Sequence, residues 1–187
     1  MVYNGVISGY TVSLRSVDID DAEITYRMRM DKEKVKFMHQ INGTVDDQKR
    51  YIENQRKKEG DYLFVVVDNN NNIIGMRGIY DVTKDTAESG RTIGYGNAFE
   101  NMEAIILGLD FAFDTLNVKA VYMDAAKNNH SVRGIQEQLG TQVLKEEYIE
   151  ELKNVYVRSV LYKDSYKQHR EGIIKLVKRY AKRLQKQ

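Results

Sequence analysis

The side chains best suited to moving a proton or holding an anion concentrate between Glu88 and Gly140. Glu88 is a carboxylate that can take a proton directly or through water, the more readily if burial raises its pKa. His130, and Tyr162 further on, are groups able to give one. Between them Arg91-Thr92-Ile93-Gly94-Tyr95-Gly96 reads as a strand running into a loop, and Asn97-Ala98-Phe99 carries that loop onto a helix start. The first amides of a helix lack internal partners and its dipole favours an anion there. Other chemistries are excluded at once. With no cysteine there is no thiolate nucleophile, disulfide or thiolate metal site, and the three histidines, His39, His130 and His169, share no ligand spacing.

The elements that must position these groups follow from periodicity. Met102, Ile105, Ile106, Leu109, Phe113 and Leu116 recur every three or four residues and predict a long amphipathic helix. Lys119 to Met123 predicts a buried strand, and Asn128 or Asn129 caps a helix that Gly140 closes. Strand, crossover helix and strand make a right-handed unit with parallel strands, the order a cofactor-binding half-domain needs. Upstream, Tyr10 to Arg15 predicts a first strand. Asp18 or Asp20 caps a helix carrying Arg27 and Arg29, and Thr44 or Asp46 caps another ending near Gly60. Tyr62–Val67 and Ile73–Tyr80 form an antiparallel hairpin across Asp68–Asn72. Downstream, Thr141–Leu144 starts a strand, residues 145–153 read as a charged connection, and Val155–Tyr162 is the last strand.

These residues in this order resemble the GCN5-related N-acetyltransferases, in the branch that includes ribosomal-protein and amino-sugar N-acetyltransferases. The matching residues are Ala87-Glu88-Ser89-Gly90-Arg91, Ile93-Gly94, Asn97-Ala98-Phe99, Glu103-Ala104, Leu109 to Phe113, Leu116-Asn117, Asn129 and Leu139-Gly140. Arg27 to Asp31 and Phe37-Met38 match upstream, so the likeness covers most of residues 10–166. It implies an α/β fold: a mixed, mostly antiparallel central sheet with one parallel, splayed strand pair, flanking helices and here an extra C-terminal helix. It also implies acetyl transfer from acetyl-CoA to a primary amine, with no metal.

By the same resemblance Glu88 serves as general base, or instead pairs with Arg29 or Arg91 as a structural salt bridge. Tyr162 and His130 are the candidate acids. Ile93 and Gly94 hold the pantetheine through the splayed strands, Phe99, Glu100, Asn101, Met102 and Glu103 form the pyrophosphate-binding helix start, and Asn129 and Arg133 assist. Arg27, Arg29, His39, Tyr80 and Tyr95 line an acceptor pocket suited to a phosphorylated or nucleotide-linked amino sugar. Two departures stand out. Family members carry a glycine-containing loop before the long helix, whereas Phe99 to Glu103 has no glycine and is about three residues shorter; and the family's frequent tyrosine on the next helix falls at Gln136. They admit a second reading, a lapsed member kept as a ligand-binding or assembly protein.

One domain, residues 1–163, is expected, followed by an appended helix over 164–187. The net charge is only +2, but that tail carries +6 and the remainder −4. Ile173, Ile174, Val177, Tyr180, Ala181 and Leu184 share one face of it, to be covered by the domain or by a second copy in a homodimer; a solvated basic face is preferred to nucleic-acid binding. No apolar run spans a bilayer and Met1-Val2-Tyr3-Asn4 is no signal peptide, so a cytoplasmic location is expected.

Overall fold

The computed structural model describes residues 1–184; the last three residues of the expected tail helix lie outside the described residues. Eight strands form one sheet in the order β1-β2-β3-β4-β5-β6-β8-β7. They are β1 (Val6–Ser8), β2 (Val12–Ser16), β3 (Tyr62–Asp68), β4 (Ile73–Tyr80), β5 (Thr86–Gly94), β6 (Ala120–Ala126), β7 (Gln142–Ile149) and β8 (Asn154–Tyr162). Among the described residues only β5 and β6 run parallel. The helices are α1 (Ala22–Met30), α2 (Val45–Lys57), α3 (Ala98–Asp110, continued by a π-helical turn to Thr115), α4 (His130–Gln138) and α5 (Lys163–Leu184).

The two sheet faces carry separate cores. Alternation along β3 sends Leu63 and Val65 towards Val17, Met28 and Ile52 of the α1–α2 side, while Phe64 and Val66 join Ile106, Leu109, Phe113, Leu139 and Tyr166 on the other. α5 contributes Ile173, Ile174 and Val177 to that second, larger core, so its apolar face is covered by the domain itself. The Asp68–Asn72 hairpin turn forms as expected, with Asn71 in the left-handed region at φ 64° and the Asp68 carboxylate accepting from the Asn70 and Asn72 amides.

Three boundaries differ from expectation. Residues 145–149 are strand rather than connection, because β7 is an edge strand exposed on both faces and its Lys145, Glu146 and Glu147 suit solvent rather than a core. β6 runs on to Ala126, and β1 is an additional short edge strand.

Glu103 ties the chain start to α3. It is 0% exposed, and its carboxylate accepts from the amides of Tyr10 at 2.6 Å, Thr11 at 2.7 Å and Val12 at 3.2 Å and from the Thr11 hydroxyl at 2.5 Å. Four donors turned onto one buried carboxylate hold the β1–β2 turn against the helix. Glu103→Ala strands those donors in a dry site, and urea denaturation should show a loss of about 3–5 kcal/mol.

Candidate active site

The site begins where a strand ladder stops. β5 and β6 pair only through Thr86–Ala120, Ala87–Val121 and Glu88–Tyr122. Beyond that point Ser89–Thr92 and Met123–Ala126 face one another across a cavity of about 170 Å³, the floor of a cleft that opens into a mouth of about 420 Å³ beside Ile93, Gly94 and the start of α4. A bulge on β5 drives the separation. Arg91 and Thr92 together oppose Arg77 of β4, and Arg91 sits in the left-handed region at φ 51°, an unfavourable conformation for a residue with a side chain. Its guanidinium anchors the bulge: it binds both carboxylate oxygens of Asp61, at 2.7 and 3.0 Å, and lies 4.2 Å above the Tyr80 ring.

Glu88 lies at the last paired position and points to the α1–α2 side, between Tyr80 on β4 and Tyr122 on β6. Its partner is Arg158 of β8, neither Arg29 nor Arg91; Arg158 also binds Asp124 at 2.6 Å and stacks over Tyr122. Burial raises the Glu88 pKa above its ordinary value, and Arg158 only partly opposes this.

On that same side a cavity of about 310 Å³ is lined by Tyr26, Arg29, Asn42, Asp47, Tyr51 and Arg91, with Arg91 forming the wall towards the cleft floor. Arg29 has no carboxylate partner among the described residues; it donates to the His39 carbonyl at 2.7 Å, and burial lowers its pKa. Asp47 is occupied by the amide and hydroxyl of Thr44 and by Arg50. The cavity is therefore electropositive. Of the other acceptor candidates, His39 is not in the lining and contributes only its carbonyl, as Arg29's acceptor, and Arg27 is exposed on Glu23. Tyr95 stands at the end of β5, where Asp31 accepts its hydroxyl at 2.7 Å and its pKa is pushed up to about 12 by burial and that bond.

The donor-side residues divide. Ile93, Gly94, Asn101, Asn129 and His130 line the cleft mouth, and Asn129 also reaches the floor. Phe99, Glu100, Met102, Glu103 and Arg133 line neither cavity. The start of α3 is closed by its own side chains. Asn97 Oδ1 accepts from the Phe99 and Glu100 amides at 2.9 and 3.2 Å, Glu100 accepts from the Asn97 amide at 2.8 Å, and Tyr180 of α5 stacks on Phe99 at 4.5 Å and receives a bond from Asn97. The amides expected to bind pyrophosphate are thus already satisfied.

Tyr162 is misplaced as an acid. It pairs with Ala120, at the closed end of the β5–β6 gap, and is 45% exposed. Six residues earlier on the same face of β8, buried Tyr156 pairs with Ala126, lines the cleft floor and donates to the Phe37 carbonyl at 2.6 Å. Only the register distinguishes the two tyrosines. Two further cleft residues escaped the sequence reading of the site: Arg77 and Ser89, both buried on the α3 side of the sheet.

A strand pair that opens after three paired residues, a cleft running through the sheet to a cavity on the other face, and a carboxylate at the point of divergence define an acyltransferase-type scaffold. Residues 11–142 match the family described as acetyltransferase (GNAT) domain. The chain belongs to that family. No curated protein is similar enough in sequence to count as a relative. Among solved structures, apo FdhC, a nucleotide-linked sugar GNAT, aligns with TM-score 0.77 and 21% identity over 89% of this chain and 94% of its own. Spermidine N-acetyltransferase from Vibrio cholerae, in complex with CoA and spermine, aligns with TM-score 0.75 and 18% identity over 84% and 99%. A GCN5-related N-acetyltransferase from Brucella melitensis aligns with TM-score 0.74 and 11% identity over 96% and 86%.

The bulge anchor is measurable. Burial of Asp61 opposes its ionisation, but Arg91 and Gln55 outweigh that and hold its pKa below the ordinary 3.8. The resulting stability is present above the ordinary value and is lost as pH falls through the lower, folded-state value. Arg91→Ala should cost about 3 kcal/mol at neutral pH by leaving a buried carboxylate without its partner. In chemical denaturation the gap between variant and wild type should narrow below roughly pH 4.

Proposed function

We propose that this protein transfers an acetyl group from acetyl-CoA to the primary amine of a small acceptor that itself carries negative charge, such as a nucleotide-linked or phosphorylated amino sugar. The observation that carries this reading is the electropositive cavity on the Glu88 side of the sheet, adjoining through Arg91 a cleft that runs between β5 and β6. A polyamine, as bound by the Vibrio cholerae structure, would meet Arg29 and Arg91 there, and the one carboxylate of the lining, Asp47, is already engaged by Thr44 and Arg50. An acceptor phosphate would instead find a guanidinium.

In this reading the divergent strands receive the pantetheine arm, their facing backbone supplies donors to the thioester oxygen, and Ile93 and Gly94 border its path. Glu88 takes the proton of the attacking ammonium, and its raised pKa brings it closer to the range where a base works at neutral pH. As the new carbon–nitrogen bond forms and the carbon–sulfur bond breaks, Tyr156 is better placed than Tyr162 to protonate the thiolate. Lys34, Lys36 and His130 at the cleft mouth replace the start of α3 as partners for the phosphate end. The closed helix start favours one other reading, a ligand-binding protein without acyl transfer.

Thiol release measured with acetyl-CoA should be faster with nucleotide-linked amino sugars than with spermine. kcat/KM should fall as pH drops through the raised pKa of Glu88, and Glu88→Gln should lose at least about 100-fold and flatten that acid limb. Binding of both substrates without turnover by any amine of the panel would support the non-catalytic reading.

A further inference from the structure

Arg77 is a buried cation without an anion. It is 3% exposed, and no carboxylate pairs with it among the described residues. One terminal nitrogen donates to Ser89 Oγ at 2.7 Å, the other reaches Thr92 Oγ1 only at 3.5 Å, and Nε has no partner. Room for this side chain is made on purpose by its neighbour: a methyl group on Gly108 of α3 would collide with the guanidinium. Burial lowers the Arg77 pKa to about 10, so it stays charged at neutral pH despite the cost of desolvation.

Arg77 is among the residues lining both the floor and the mouth of the cleft. A second orphan lines the same floor from a different element. Gln136 of α4 is 3% exposed and its Oε1 has no partner. Arg77 and Gln136, each with one buried atom lacking a partner, line the same cavity as Ser89 and together describe half of a hydrogen-bonded site. A full buried charge is answered by an opposite charge far better than by an amide dipole. A phosphate of the carrier does not reach it by way of the α3 start, since Gly108 lies about 15 Å along the helix from Ala98 at roughly 1.5 Å per residue. The floor volume of about 170 Å³ suits a chain of a few carbons.

We propose that Arg77, Ser89 and Gln136 form a carboxylate site in the cleft floor, and that its occupant is the terminal carboxylate of a dicarboxylic acyl group on the donor thioester. The guanidinium binds the carboxylate oxygens, the Ser89 hydroxyl and the Gln136 amide complete the shell, and the side-chain amide of Gln136 turns whichever end the ligand requires. This assignment rests on the acyl-transfer reading for its thioester but not for its carboxylate, because a free dicarboxylic acid offers the same chemistry.

Calorimetry with succinyl-CoA, acetyl-CoA and free succinate, on wild type, Arg77→Met and Gln136→Glu, tests it. Succinyl-CoA should bind wild type roughly ten- to a hundredfold more tightly than acetyl-CoA, the value of one charge-assisted bidentate contact. In Arg77→Met that ratio should collapse towards one. Gln136→Glu places a carboxylate in the same cavity, should raise the melting temperature by neutralising Arg77, and should abolish the preference even if Arg77→Met fails to fold. Equal affinity for the two thioesters together with no effect of succinate would overturn the site while leaving acetyl transfer standing. Binding of succinate that depends on Arg77, with no binding of either thioester, would uphold the site and sink the acyl-transfer reading.

Discussion

Everything functional in this molecule depends on two parallel strands that stop pairing after three residues. Parallel strands in a packed sheet ordinarily stay paired, since each unmet amide and carbonyl costs free energy. Here β6 keeps its ladder with β8 over seven residues while β5 keeps its ladder with β4, so each strand stays anchored on its outer edge as the inner edges part. The bulge at Arg91 and Thr92 bends β5 within the parted stretch, a few residues beyond the last β5–β6 pair at Glu88. That bend is held from below by Asp61 and Tyr80, which turns a local backbone cost into a feature maintained by the α2–β3 connection. A cleft bridging both faces of the sheet follows from that single constraint.

The same constraint explains why the closed start of α3 does not empty the cleft of purpose. Asn97 and Glu100 satisfy the first amides of the helix, and Tyr180 covers them from α5. Capping of this kind stabilises a helix end by about 1 kcal/mol and removes it as an anion site. The cleft mouth keeps its cationic side chains on the opposite wall, where Lys34 donates to the Gly94 carbonyl at 2.9 Å and Lys36 lies near Phe37. Positive charge has moved from a helix terminus to a loop between α1 and α2.

Legibility followed the range of the interactions. The stripe from Met102 to Leu116 and the asparagine-rich hairpin announce themselves because their signals are local in sequence, and both elements stand where periodicity and turn chemistry put them. The strand character of residues 145–149 was hidden because an edge strand exposed on both faces has no apolar alternation to display. Glu103 read as a cofactor residue because its four donors come from a turn more than ninety positions away. Tyr156 and Tyr162 share a strand face, so nothing short of the Ala120–Tyr162 and Ala126–Tyr156 register separates a cleft tyrosine from an exposed one. Arg77, in a strand between Met76 and Gly78, carried no local mark of burial, because its space is supplied by Gly108 on a helix that the sheet pairing brings overhead.

Two cavity-lining arginines with no acidic partner among the described residues, half-buried Arg29 and buried Arg77, sit on opposite faces of the sheet, and the divergent strands connect their cavities past Arg91. A guanidinium buried without a counter-ion destabilises a fold unless something else supplies the negative charge, which applies fully to Arg77 and in part to half-buried Arg29. In the proposed function the charge on one face would favour an anionic amine over a polyamine as acceptor. In the proposed carboxylate site the charge on the other would favour an acyl chain that ends in a carboxylate over one that ends in a methyl group. In that reading specificity would be set by the charged side chains at the two ends of the cleft, while the site for transfer is the gap between the strands itself.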